Sequence, residues 1–203
     1  MGPRVKVKRV TTSVLPTRLG RFQIIGYEAA IRGQRRAYVV LLKAASTAPS
    51  APLVRIHSQC LTGDVFASLR CDCGDQLKMA MRAIQRAGSG AIIYHPEEGR
   101  GIGILNKLRA YELQDRGADT VEANRKLGFA DDERDYSACA EILKDLLFLR
   151  IRLLSNNPEK MKALERSGIR VAEMVSIEVP PRPSSRNYLK TKKEKLGHLL
   201  TRV

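Results

Sequence analysis

Three of the four cysteines, Cys60, Cys71 and Cys73, stand close together in the chain, and their spacing constrains the fold more than any other feature. Clustered thiols in a reducing compartment point to a metal or to catalysis rather than to disulfides. Thiolates suit zinc, which takes four tetrahedral ligands, so three cysteines leave one position open. An open position is what a hydrolytic centre needs, because water beside zinc loses a proton near neutral pH. The neighbours His57, Ser58, Arg70, Asp72 and Asp75 make the surroundings polar. Two other accounts stand beside this one: a closed structural site with His57 as fourth ligand, and three small buried hydrophobes. Cys139 shares a helical face with Ile142 and Leu143 and reads as core.

Around this cluster the pattern alternates between strand and helix. Residues 1–20, rich in Arg and Lys, read as a mobile basic arm. Phe22, Ile24 and Ile25, then Tyr38, Val39 and Val40, predict an antiparallel strand pair over 21–30 and 37–43, turning near Gly33. A loop is expected over 44–52 and a short strand over 53–57. Helices are expected over 75–87, 102–116 and 136–147, with strands over 91–94 and 151–154. Pro158 opens a further helix that Gly168 closes. Extended chain over 171–179, a loop over 180–185 and a last helix over 186–199 complete the pattern. The sum is one α/β domain over 21–203, a mixed sheet with helices on both faces, with the final helix and basic tail at 186–203.

The formal charge of +15 on 203 residues raises the question of a polyanionic partner. Arg4, Lys6, Lys8 and Arg9 crowd one end and Lys190, Lys192, Lys193 and Lys195 the other, without interleaved aromatics. That distribution disfavours a nucleic-acid surface and suits solvated termini or a small anionic substrate. No apolar run has spanning length and no secretory signal opens the chain, so the expectation is a cytoplasmic protein with no membrane contact.

Two loops are candidate nucleotide contacts. Glu98, Gly99 and Arg100 follow a strand and precede a helix, where backbone N–H groups favour an anion and Glu98 could pair with guanine donors. Ser155 and Lys160 lie beyond the strand at 151–154, on the usual ligand edge of an α/β sheet. A third cluster, Asp131 to Asp135, sets the single cation Arg134 among four carboxylates.

Taken together, these segments resemble GTP cyclohydrolase II, a family of riboflavin biosynthesis. The resemblance runs over roughly residues 53–200 and rests on several ordered motifs. They are Arg55-Ile56-His57-Ser58, Cys60-Leu61-Thr62-Gly63-Asp64, Ser68-Leu69-Arg70-Cys71-Asp72-Cys73-Gly74, Glu98-Gly99-Arg100 and Asn106-Lys107-Leu108-Arg109-Ala110-Tyr111. Asp119-Thr120-Val121-Glu122-Ala123-Asn124, Leu127-Gly128-Phe129, Asp132-Glu133-Arg134-Asp135, Asn156-Asn157-Pro158 and Gly197-His198-Leu199-Leu200 follow.

The resemblance implies a homodimeric enzyme with one zinc ion per subunit on Cys60, Cys71 and Cys73. It implies that water activated there attacks C8 of GTP, releasing formate, and that pyrophosphate is lost with the help of magnesium. Asp132 would accept a proton, Arg134 would act at the α-phosphorus and Tyr111 would lie near the ring-opening centre. Nucleotide contacts would come from Arg55, Ile56, His57, Ser58, Gln59, Gln76, Glu98, Gly99, Arg100, Thr120, Ser155 and Lys160. Many relatives carry Glu at position 59 and Thr at 155, so Gln59 and Ser155 depart from the pattern. The chain lacks the second N-terminal domain of bifunctional relatives and is expected to be monofunctional. Two alternatives stay open: a specialised paralogue giving a formamidopyrimidine or another pyrimidine, and a basic nucleic-acid-associated protein on the same scaffold.

Overall fold

The computed structural model describes residues 5–31, 33–45 and 50–203. Residues 1–4 of the expected arm, Arg32 beside the expected turn and residues 46–49 of the expected loop lie outside them. Seven strands form one sheet in the order β1-β2-β3-β5-β4-β6-β7. They are β1 (Lys6–Thr17), β2 (Gly20–Ile31), β3 (Gln34–Lys43), β4 (Leu53–Ser58), β5 (Gly90–His95), β6 (Arg150–Leu154) and β7 (Arg170–Val175). The first three and β5 pair antiparallel, while β5, β4, β6 and β7 run parallel.

Helices α1 (Leu61–Asp64), α2 (Cys73–Ala87), α3 (Gly103–Asp115), α4 (Thr120–Lys126), α5 (Ser137–Asp145), α6 (Pro158–Arg166) and α7 (Pro183–Leu196) join the strands, with a 3-10 turn at Glu98–Gly101. Side chains alternate along a strand, so each strand feeds two cores. Val54, Ile56 and Ile93 meet Ala138, Ile142 and Leu143 of α5 and Leu164 of α6 on one face. Leu53 and Ile92 meet Ala80 and Ile84 of α2 on the other. Helix α2 ends where Gly88 takes a left-handed φ of 72°, and Asn157 caps α6 by accepting from the Glu159 N–H at 3.0 Å.

The expected strand pair is β2 and β3, joined in register from Gln23↔Leu42 to Ile31↔Gln34. The arm expected over residues 1–20 is corrected: Lys6–Thr17 is a strand paired along its length with β2. Its charges are those of a sheet edge, where Lys and Arg discourage further pairing. Val5 and Val7 turn inward against the core. The final helix starts at Pro183, inside the expected loop, since proline fits a first helical turn.

Candidate active site

The parallel strands end on one edge, and the loops leaving β4, β5 and β6 carry the candidate residues. Beyond β4, the one-turn helix α1 and the N-terminus of α2 bring Cys60, Cys71 and Cys73 together, with all three sulfurs within 4.8 Å of one another. Cys60 Sγ and Cys71 Sγ are 3.7 Å apart. A tetrahedron with zinc–sulfur bonds of about 2.3 Å has an edge of about 3.8 Å, so the spacing fits that ion. Gly63 is required at this point: a Cβ there would lie 2.9 Å from Cys71 Sγ and 3.1 Å from Cys60 Sγ. Hydrogen bonds from the Cys71 and Cys73 thiols, then the Lys107 ammonium, hold Cys60 well below the ordinary thiol range. His57 does not join the cluster, which among the described residues holds only the three cysteines; its Nε2 pairs with Asp64 at 3.0 Å.

Lys107 joins this cluster to the next loop, a link that sequence spacing does not signal. Its Nζ donates to Cys60 Sγ at 3.1 Å, Thr62 Oγ1 at 3.1 Å and Glu98 Oε1 at 2.7 Å. Glu98 also accepts from the N–H groups of Leu61 at 2.7 Å and Gly99 at 3.0 Å. Its carboxylate therefore pins the loop at the border of the first cleft. Gly99 and Arg100 both take left-handed φ, 61° and 64°. For arginine this is a costly conformation that local contacts must hold. The Arg100 guanidinium supplies them, donating to the carbonyls of Asp131 and Thr120 and to Thr120 Oγ1.

Two clefts open here and share a wall of Ser58, Cys73, Arg100, Arg134 and Tyr188. The first, about 680 Å³, is lined by the three cysteines, Gln59, Glu98, Gly99, Lys107, Tyr111 and Thr120 among others. Tyr111 shares a hydrogen bond of 3.2 Å with Thr62 Oγ1, and Arg70 lies 4.8 Å over its ring. Burial raises the Tyr111 phenol, keeping it protonated.

The second cleft, about 640 Å³, gathers Arg55, His57, Gln76, Arg100, Arg134, Ser155, Lys160 and Lys192. The one acid on its lining, Asp72, is bonded to Gln76 at 2.5 Å and to Lys192 at 3.0 Å. Strand alternation turns Arg55 and His57 toward α2, where Arg55 donates to Gln76 Oε1 and the Leu154 carbonyl. Ile56 is therefore turned away: its side chain lies in the core, correcting any side-chain contact with a ligand. What Ile56 lends is its carbonyl, which accepts from Lys160 Nζ at 2.9 Å. Burial, then Arg55 and Arg134, push the Lys160 ammonium far below its ordinary range. An anion bound beside it would favour the charged ammonium and offset that shift.

Arg134 stands at the junction. It donates to both Asp132 oxygens and to Ser58 Oγ at 3.2 Å. Burial opposes its charge, but Tyr136 and Asp132 outweigh that and raise its pKa further. Asp132 reaches the clefts only through this arginine. Burial opposes its ionisation, yet Arg134 holds its carboxyl below the ordinary range.

Fold and site together define an α/β enzyme with a three-cysteine cluster beside a cleft lined by basic side chains. The GTP cyclohydrolase II family model matches residues 8–176. The GTP cyclohydrolase-2 of Buchnera aphidicola subsp. Acyrthosiphon pisum is 51% identical over 192 residues, 95% of this chain and 98% of that protein. That of Salmonella typhimurium is 48% identical over 198 residues, 98% of this chain and 100% of the relative. The riboflavin biosynthesis protein RibBA of Chlorobium phaeovibrioides is 47% identical over 195 residues, which are 96% of this chain and 47% of its own length. The chain belongs to the GTP cyclohydrolase II family.

Proposed function

We propose that this enzyme hydrolyses GTP in two parts, as the first step of riboflavin biosynthesis. The imidazole ring opens with loss of formate and the triphosphate loses pyrophosphate. The product is 2,5-diamino-6-(5-phosphoribosylamino)pyrimidin-4(3H)-one. The observation that carries this reading is the pair of confluent clefts, one facing the three cysteine sulfurs and the other lined with basic side chains, with Arg134 between them.

The sulfur spacing suits one zinc ion on Cys60, Cys71 and Cys73, which when bound supplies Lewis-acid activation of water. The chain's own residues do the rest. Gln59, Thr120 and the backbone around Gly99 border the space beside the thiolates, where the base would lie. Tyr111, a protonated phenol facing the same space, can donate to a developing oxyanion or amine. Arg55, Lys160 and Ser155 would bind the phosphate chain in the second cleft.

A permanently charged guanidinium is a poor nucleophile, so Arg134 acts by stabilising charge as the α-phosphorus is attacked. Asp132, ionised and gripping Arg134, orients it; a carboxyl held low is a weak base at neutral pH. Among the described residues only the three cysteines cluster as metal ligands, so magnesium would arrive with the triphosphate, held mainly by phosphate and water.

Incubating the protein with GTP, zinc and magnesium and separating the products tests the reading. Formate, pyrophosphate and the diaminopyrimidine support it. A formamidopyrimidine triphosphate would mark a specialised paralogue, and unchanged GTP would sink the reading.

A further inference from the structure

The matched family model ends at residue 176, yet the walls of the clefts do not. Tyr188 borders both clefts, and Lys192, His198 and Leu200 border the second. All four belong to α7 or the turn after it. The segment is fastened at both ends to the strand-edge loops. At its start Arg182 pairs with Asp75 at 2.7 Å and Ser184 Oγ donates to the Leu69 carbonyl at 2.9 Å. At its end the Leu199 N–H donates to the Asn156 carbonyl at 2.8 Å, and the N–H groups of Thr201 and Arg202 donate to Glu178.

Between these anchors the helix turns a charged face into the cleft. Lys192 Nζ lies 3.0 Å from Asp72 Oδ1 and 4.4 Å from the Tyr188 ring centroid. Gln76 occupies the other Asp72 oxygen at 2.5 Å, so Lys192 is the ion-pair partner of this acid and spends one donor on it. It adds a fixed ammonium to a cleft that holds Arg55, Arg100, Arg134 and Lys160. An ammonium has three donors, which lets it bond Asp72 and a phosphate oxygen together. His198, pushed down to about 3 by burial and then Lys192, is neutral and offers a ring N–H.

We propose that the C-terminal segment is a substrate-binding element, with Lys192 contacting the phosphate chain of the nucleotide, Tyr188 fixing Lys192 and His198 adding a neutral donor. This rests on the cyclohydrolase reading for the identity of the nucleotide, and on the second cleft alone for the anion.

Two measurements test it. In the first, Lys192→Met raises KM for GTP about tenfold while kcat changes less than about twofold, and Lys192→Arg stays near wild type; this is the size of one lost charge-assisted contact. In the second, inorganic pyrophosphate slows amide hydrogen exchange across residues 186–199 of the wild-type protein. An unchanged KM in Lys192→Met, or no slowing by pyrophosphate in wild type, overturns the proposal. A wild type that leaves GTP intact but shows the slowing removes the cyclohydrolase reading and keeps the binding element.

Discussion

Asp132 grips Arg134 through both carboxylate oxygens, which accept from Nε at 2.8 Å and from Nη2 at 2.5 Å. The bidentate geometry aims the remaining guanidinium nitrogen at Ser58 and the clefts. Arg134→Ala is expected to slow pyrophosphate release at least about 100-fold, the usual effect of removing a preorganised charge stabiliser. Arg134→Lys does not restore it, because an ammonium cannot reproduce the fork. Asp132→Asn, which keeps one acceptor, costs about tenfold through misorientation. Separate quantification of pyrophosphate and formate checks this; loss of formate with pyrophosphate intact would assign Arg134 to the other half-reaction.

The zinc assignment predicts two phenotypes that leave the sheet untouched. Cys71→Ser loses bound zinc and formate production together. Gly63→Ala does the same without removing a ligand, since its Cβ would press on Cys71 Sγ at 2.9 Å and on Cys60 Sγ at 3.1 Å. Metal content by mass spectrometry and formate yield are the readouts. Full zinc with full activity in Cys71→Ser would contradict the ligand assignment.

Much of this architecture is legible in the residues themselves. The Leu77, Met81 and Ile84 spacing predicts α2, and Pro158 and Gly168 bracket α6, because period and end signals are local. The closeness of Cys60, Cys71 and Cys73 in the chain likewise anticipates the sulfur cluster they form in the fold. The strand β1 does carry a local signal, Val7, Val10, Thr11, Thr12 and Val14, which its crowded charges mask, and it joins β2 by a tight hairpin at Thr17↔Gly20. The role of Glu98 is hidden likewise, because Lys107 and the Leu61 N–H meet it only once α3 and α1 are packed. Tyr188 and Lys192, more than a hundred residues from Cys73 and Asp72, give no spacing to read.

The Lys107–Glu98 pair is nearly enclosed, with side chains 11% and 7% exposed. Breaking it by Lys107→Met leaves a buried carboxylate without its cation and is expected to cost about 3 kcal/mol of unfolding free energy. The double variant Lys107→Met with Glu98→Gln costs less than the sum of the singles. Urea denaturation of the four proteins measures the coupling, and strict additivity would show the pair to be energetically idle.

His95 lies fully buried between Tyr38 and Tyr136, with ring centroids 5.7 and 5.2 Å away. Burial, then Lys160 and Arg134, push its imidazole down to about 3. Between that value and about 6.5 the unfolded chain binds a proton that the folded chain does not, so stability falls as pH falls through this window, by about 1.4 kcal/mol per pH unit. His95→Phe removes this contribution. Its stability should decline less steeply than wild type between pH 6 and about 4 in parallel denaturant titrations; identical slopes would mean that His95 is already protonated in the fold.

The most direct test of the two-cleft account is the yield of formate and of pyrophosphate from the same GTP, followed to completion with purified protein, zinc and magnesium. The account predicts equal amounts of both, appearing with the diaminopyrimidine. Pyrophosphate without formate, or formate without pyrophosphate, from the wild-type protein would contradict it.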